Sequence, residues 1–339
     1  MSKKIQTVVV TGGAGYVGAV LIPKLLKKGY EVRVIDLFLF GNYLPEGNPN
    51  LECIKGDIRN HRLLKQIMVG SDAVIHLACI SNDPSFELNP ELSRSINYEC
   101  FEPMVKIAKE SGVKRFIYAS TSSVYGVSDA PEVTEDHPLV PLTDYNRYKG
   151  LCEPHLLKYQ SPHFTTIIIR PATICGYSPR LRLDLTVNIL TNHAVNNRKI
   201  LVLGGSQKRP NIHIEDISDL YVDLLTRPAE EIAGKTYNAA YENFTVAELA
   251  QMVHKIVSRE MPELGPITIE TAPSNDLRSY HVSSKKIKKE LEWVPKRTLE
   301  DAVVDLCAAF HAGKIPNSMT DTRYYNVKTI QASHLARTG

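Results

Sequence analysis

A doubly wound α/β fold, a parallel sheet covered by helices on both faces with a smaller, partly helical second domain, is what this sequence predicts. Three observations carry the prediction. Short apolar runs alternate with helical patterns through the first half, at Val8–Val10, Val32–Ile35, Leu51–Ile54, Ala73–His76, Phe116–Ala119 and Ile167–Ile169. Apart from Arg33, Glu52 and His76 the runs are continuously apolar rather than at every second residue, as suits strands buried on both faces. Right after the first run comes Thr11-Gly12-Gly13-Ala14-Gly15-Tyr16-Val17-Gly18, a strand end rich in glycine that opens a helical pattern.

That glycine stretch makes a site for a diphosphate. Glycines let the backbone come close, and the first amide N–H groups and the helix dipole face the anion. The second run ends in Asp36. An acidic residue at that distance accepts hydrogen bonds from an adenine-ribose diol and repels a 2′-phosphate. The pair reads as a Rossmann-type unit for NAD rather than NADP. The plainer alternative is an ordinary glycine-rich turn between strand and helix.

The other elements follow in order. Helical patterns lie at Val20–Lys28, His61–Met68, Pro90–Ser111 and Tyr145–Tyr159. Gly56-Asp57-Ile58 follows the third strand and reads in two ways: Asp57 caps the helix beginning near His61, or the turn stands beside an adenine ring. His76-Leu77-Ala78 ends the fourth strand at the carboxyl edge, where ligands bind in such sheets. Ala78 is small enough for a cofactor to pass, and His76, between apolar neighbours, reads as a satisfied structural histidine. After about Ile174 the alternation becomes irregular, with helices at Ile214–Leu225, Thr245–Arg259 and Leu299–Ala312. Arg180, Arg182, Arg209 and Arg278 punctuate this half, cations suited to an anionic group. The expected organisation is a nucleotide-binding domain over 1–172 and a substrate domain over 173–315, some segments of which return to the first. The polar tail, 316–339, is expected to wrap the surface or fray.

Composition narrows the function. The 339 residues carry a net charge of +3, with 43% hydrophobic and 23% charged residues, an ordinary soluble balance without a nucleic-acid footprint. Lys285, Lys286, Lys288 and Lys289 alternate with Ile287 and Leu291, as on a solvated helix face. Six cysteines show no CxxC spacing; they read as buried free thiols in a reducing compartment, not as a disulfide framework or a metal site. No signal h-region or membrane-length run is present, so a cytoplasmic protein with no membrane partner is expected.

The chemistry is concentrated in two places. Tyr145 and Lys149 stand four apart in a helical pattern, on one face and one turn apart. An ammonium beside a phenol favours the phenolate; bringing it from about 10 to neutrality corresponds to about 4 kcal/mol. Such a phenolate can take a hydroxyl proton near pH 7. Ala119-Ser120-Thr121-Ser122-Ser123-Val124-Tyr125-Gly126 follows the fifth strand and brings a hydroxyl to the same sheet edge.

With Gly56-Asp57-Ile58, His76-Leu77-Ala78 and Asn97, these motifs resemble the extended short-chain dehydrogenase/reductases, and within them the nucleotide-sugar epimerases and dehydratases. The resemblance runs from about residue 5 to 312. It implies that Gly12, Gly15, Tyr16, Val17 and Gly18 cradle the NAD pyrophosphate, that Asp36 holds the adenosine ribose and that Asp57 and Ile58 flank the adenine. Leu77, Ala78, Asn97 and Pro171 are further cofactor positions. Thr121 is the hydroxyl partner, Tyr145 the acid/base, and Lys149 its activator and ribose ligand. Arg170-Pro171-Ala172-Thr173 matches the segment lining nicotinamide and sugar; Arg209 and Arg278 match arginines that grip a nucleotide diphosphate. Thr173 stands where the family commonly has asparagine. A homodimer built partly on the catalytic helix is also implied, although Pro154 is expected to bend or loosen that helix.

The family's dehydratases carry an Asp-Glu pair after the hydroxyl position, and this chain has Ser122 and Ser123 there. The reading is therefore an NAD-dependent nucleotide-sugar 4-epimerase. Ser178 to Leu185 resembles a subgroup that includes nucleotide-heptose C4 dehydrogenases. That keeps open a C4 dehydrogenase or 4-keto-sugar reductase on the same site. A non-catalytic NAD-binding sensor is the third reading.

Overall fold

In a computed structural model, which describes residues 5–274, 279 and 281–333, twelve strands form three sheets. Seven make one parallel sheet: β1 (Thr7–Thr11), β2 (Glu31–Asp36), β3 (Leu51–Lys55), β4 (Ala73–His76), β5 (Arg115–Ala119), β6 (Thr165–Pro171) and, from far along the chain, β10 (Lys235–Ala239). Their order is β10-β6-β5-β4-β1-β2-β3, and every pairing is parallel. A second sheet, β11-β9-β7, joins Glu242–Thr245, Lys208–His213 and Thr173–Cys175; β8 (Lys199–Leu203) pairs with β12 (Thr268–Ala272).

The apolar runs are strands because both faces are covered. Val8 and Val10 point into one core with Ile75, Ile117, Ile167 and Ile169, against α1 (Gly18–Lys27). Val9, Val74, Phe116, Tyr118 and Ile168 point into the other. That face is closed by α2 (His61–Met68), α4 (Pro90–Arg94), α5 (Phe101–Glu110) and α6 (Asp144–Leu157), with α3 (Asp83–Phe86) packed on α6. A third core is built by α7 (Thr186–Asn197), α10 (Val246–Glu260) and α12 (Leu299–His311). Of the other helices, α8 (Ile214–Thr226) packs on α1, α9 spans Ala229–Ile232, and α11 spans Lys285–Leu291 and buries only Ile287 and Leu291.

Helix α6 runs through Pro154 to Leu157, the ring removing one N–H from its ladder. Three expectations change. The pattern over Pro90–Ser111 is broken: α4 gives way to a π-helical turn at Ser95–Glu99 before α5 begins. Cys53 is exposed on the edge strand β3, whereas Cys100, Cys152, Cys175 and Cys307 are buried. The tail forms a short helix, α13 (Asn326–Ala332), with Asn326, Thr329 and Ile330 buried. Among the described residues no helix is long and apolar enough to cross a membrane.

His76 has the structural environment expected of it. Its Nδ1 lies 2.6 Å from Thr11 Oγ1, and its ring packs among Phe101, Phe116 and Tyr118. Burial, and secondarily the charge of Lys149, hold its pKa well below the usual range. The unfolded chain therefore takes up a proton below pH ~6.5 that the folded chain refuses. This contribution is complete above that pH and is lost as pH falls, by up to about 1.4 kcal/mol per unit. Urea unfolding at pH 6.5 and 5.5 should show a smaller loss of stability for His76→Gln than for the parent.

Candidate active site

The carboxyl ends of β1, β2, β4, β5 and β6 open on a cavity of about 440 Å³. Gly12, Gly15, Tyr16, Val17 and Gly18 line its floor. Gly12 has φ +72°, and a Cβ there would stand 2.6 Å from the Ala78 backbone; one at Gly18 would stand 2.2 Å from the Gly13 carbonyl oxygen. The turn thus packs backbone on backbone, which only glycine permits. The Tyr16 hydroxyl donates to the Gly176 carbonyl at 2.7 Å and accepts from Asn188 Nδ2 at 3.1 Å. Its phenol ties the loop to the second half of the chain.

At the end of β2, Asp36 accepts from the Ala14 N–H at 3.0 Å and the Phe38 N–H at 2.8 Å. Burial raises its pKa, while these donors and the nearby charge of Arg180 work the other way. Asp57 and Ile58 line the same end of the cavity. Asp57 does not cap α2: Asn60 does, accepting from the Leu63 N–H at 3.1 Å. Asp57 instead pairs with Arg59 at 2.7 Å. Burial opposes that ionisation, but the Arg59 bonds and charge win and lower its pKa.

Thr121, Tyr145 and Lys149 line the cavity together. Thr121 caps a 3₁₀ turn, Ser122–Tyr125; its Oγ1 accepts from the Ser123 N–H and lies 2.6 Å from Ser123 Oγ. Thr143 caps α6 and donates to Asp83 Oδ1 at 2.6 Å, which sets Tyr145 in the helix's first turn. Lys149 is buried, donates to the Ala119 carbonyl and has Nζ 4.5 Å from the Tyr118 ring centroid.

Beneath this edge runs a buried polar chain. Ser120 Oγ donates to Glu153 at 2.6 Å. Arg170 meets Glu153 through two bonds, at 2.9 and 2.6 Å. Arg170 also reaches the Tyr125 hydroxyl at 2.7 Å, which donates to Asn238 on β10. Arg170 therefore belongs to the support, while Pro171, Ala172 and Thr173 line the cavity. Leu77, Ala78 and Arg209 line it too. Asn97 does not; its side-chain amide accepts from the Ile80 N–H at 2.8 Å and donates to the Ile80 carbonyl at 2.9 Å, behind the wall. Arg278 lies outside the described residues.

The cavity also takes in residues to which the sequence assigned no role. Asn326 and Ile330 come from the tail, where seven helical residues are too few to show a period. Ser81, Phe40 and Asp184 complete the wall. Four aspartates border it, and each has a partner: Asp36 the loop N–H groups, Asp57 Arg59, Asp83 Thr143, and Asp184 Arg182 at 2.9 Å.

Residues 8–240 match the family model described as "NAD dependent epimerase/dehydratase family". UDP-glucuronic acid decarboxylase 1 of Arabidopsis thaliana is 28% identical, over 91% of this chain and 71% of its own. UDP-glucose 4-epimerase of Lactobacillus helveticus is 24% identical over 90% and 96%. The crystal structure of UDP-glucose 4-epimerase with UDP-glucose from Thermotoga maritima superposes with a TM-score of 0.80 at 21% identity, covering 91% of this chain and 99% of that one. The last similarity shows the fold.

Proposed function

The chain belongs to the NAD-dependent epimerase/dehydratase family, whose members modify nucleotide sugars, and from that premise we propose that it is a nucleotide-sugar 4-epimerase. One observation supports this most. Thr121, Tyr145 and Lys149 share a cavity with the glycine loop and Asp36, while the turn after Thr121 offers Ser122 and Ser123 in place of carboxylates. That turn then presents no carboxylate for the C5 proton that 4,6-dehydration must remove.

The residues present fit NAD. Asp36 faces the cavity from the end of β2, the glycine loop lies beside it, and Arg180 carries buried nitrogens with no hydrogen-bond partner among the described residues. Bound NAD supplies reversible hydride acceptance at the sugar carbon. The protein supplies proton control and position. Thr121 Oγ1 holds the sugar O4, and Tyr145 Oη takes its proton as C4 becomes a ketone. Lys149, fixed by the Ala119 carbonyl, favours the phenolate by its charge. The keto sugar turns over in the cavity, and Tyr145 returns the proton to O4 on reduction of its other face. Arg209, on the cavity wall, is assigned to the nucleotide diphosphate.

The test is stoichiometry. Purified protein, with no added cofactor, should convert a nucleotide sugar into a mixture of C4 epimers, read by proton NMR, with no build-up of NADH absorbance. One NADH formed per product from added NAD would replace epimerisation by net C4 oxidation. Retention of NAD without turnover of any sugar nucleotide would leave a sensor.

A further inference from the structure

Arg180 is the least explained side chain of the cavity. It is 3% exposed, yet its Nε and Nη1 have no hydrogen-bond partner among the described residues. Only Nη2 is engaged, donating to Asn326 Oδ1 at 2.5 Å. The guanidinium lies flat enough on Phe40 to put its carbon 3.8 Å from the ring centroid. Leaving two buried donors of a cation unpaired is costly unless an anion meets them. Burial, with Arg182 adding repulsion, lowers the Arg180 pKa to about 9.

Its position says which anion. Arg180 is near enough to Asp36 for the two charges to interact. Two residues on, Arg182 feels the charges of Asp184 and Tyr145 and bonds to Ser81 at 3.2 Å. Arg180 thus stands on the cavity wall against Phe40, four residues past Asp36, and is tied through Asn326 to Ser81, beyond the end of β4. Of the parts of a dinucleotide, the diphosphate is the anion.

The tail fixes this arginine. Asn326 also donates to Ser81 Oγ at 2.8 Å, and its N–H reaches Asp184 Oδ2 at 3.3 Å. The segment is seated on both sides of this clasp. Tyr324 packs with Tyr16 and Val20 beside the glycine loop, and Ile330 packs with Ile35, Ile58 and Ile80.

We propose that the C-terminal segment 316–333 is a cofactor clasp: Asn326 orients Arg180 so that its free Nε and Nη1 bind the diphosphate of NAD opposite the glycine loop. Cofactor retention is then set by the tail as well as by the loop. This holds whether the site epimerises or carries out net oxidation, because it concerns cofactor residence and not the fate of the sugar.

The experiment measures exchange of labelled NAD on the full chain, with ADP-ribose and adenosine as competitors for its rebinding. Arg180→Gln should speed NAD release and weaken ADP-ribose at least tenfold, while adenosine, which has no phosphate, changes less than twofold. Asn326→Ala should speed release at least threefold. Because the asparagine acts through the arginine, the double variant should match Arg180→Gln within twofold. Circular dichroism verifies folding; should Arg180→Gln not fold, Arg180→Lys, which keeps the charge and loses the planar fork, replaces it with an intermediate loss expected. Equal weakening of adenosine and ADP-ribose, an Asn326→Ala release rate like the parent's, or multiplicative effects in the double variant would overturn the proposal.

Discussion

Tyr145→Phe is expected to lower kcat by roughly 10²–10⁴-fold, the range for loss of a positioned general acid–base group. The phenyl ring keeps the packing of the first turn of α6, and only Oη is removed. KM for the nucleotide sugar should move by a few-fold at most, because the nucleotide diphosphate is assigned to Arg209. A fall in kcat and kcat/KM together marks a group used in the transition state and not in ground-state binding. Steady-state kinetics with a coupled epimer assay, alongside NAD content of the purified variant, gives both quantities. Near-parental activity in the phenylalanine variant would sink the assignment of Tyr145.

Arg170→Met is expected to destabilise the fold by about 3–5 kcal/mol, the cost of removing one partner of a buried ion pair. Glu153 is 4% exposed and would be left charged under the hydroxyl turn, with only Ser120 Oγ as donor. Glu153→Gln should cost less, because an amide oxygen still accepts from Ser120 or Arg170. Replacing both with methionine and leucine should recover much of the loss, since an apolar pair of similar volume avoids both desolvation penalties. Urea unfolding of the three variants tests the ordering. Equal stability of Arg170→Met and the parent would mean the pair contributes nothing to the fold.

Much of the nucleotide half was readable because its signals are local. Strands β1 to β6 are short apolar runs with helical patterns between them, and the glycine loop, Asp36 and the Tyr145–Lys149 spacing are all contiguous or separated by one turn. Elsewhere the local signals left options open and the structure chose among them. Asn60 takes the cap of α2, while Asp57, which lines the cavity, pairs with Arg59 two residues on. Asn97 stands behind the wall because the π-helical turn re-aims it at the Ile80 backbone. Arg170 and Thr173 lie three apart in one apolar segment, yet one joins the buried support and the other the cavity. Strands β7 to β9, β11 and β12, mostly mixed in polarity, carry no clean alternation. Asn326 reaches Ser81 from 245 positions away, and no period in a polar tail could announce that.

The return of β10 to the main sheet has a consequence for biosynthesis. Strand β6 ends at Pro171, but the strand that covers its open side begins only at Lys235. Residues Thr165 to Arg170 are all buried in the finished protein. While the chain is being made, six parallel strands can therefore assemble and leave that apolar edge bare until β10 has left the ribosome. An unpaired edge of this kind templates association between nascent chains. Arrest of translation between β6 and β10 should thus yield a species that clumps or holds chaperones, and the segment that makes β7 to β9 serves as the delay through which the half-built sheet must survive.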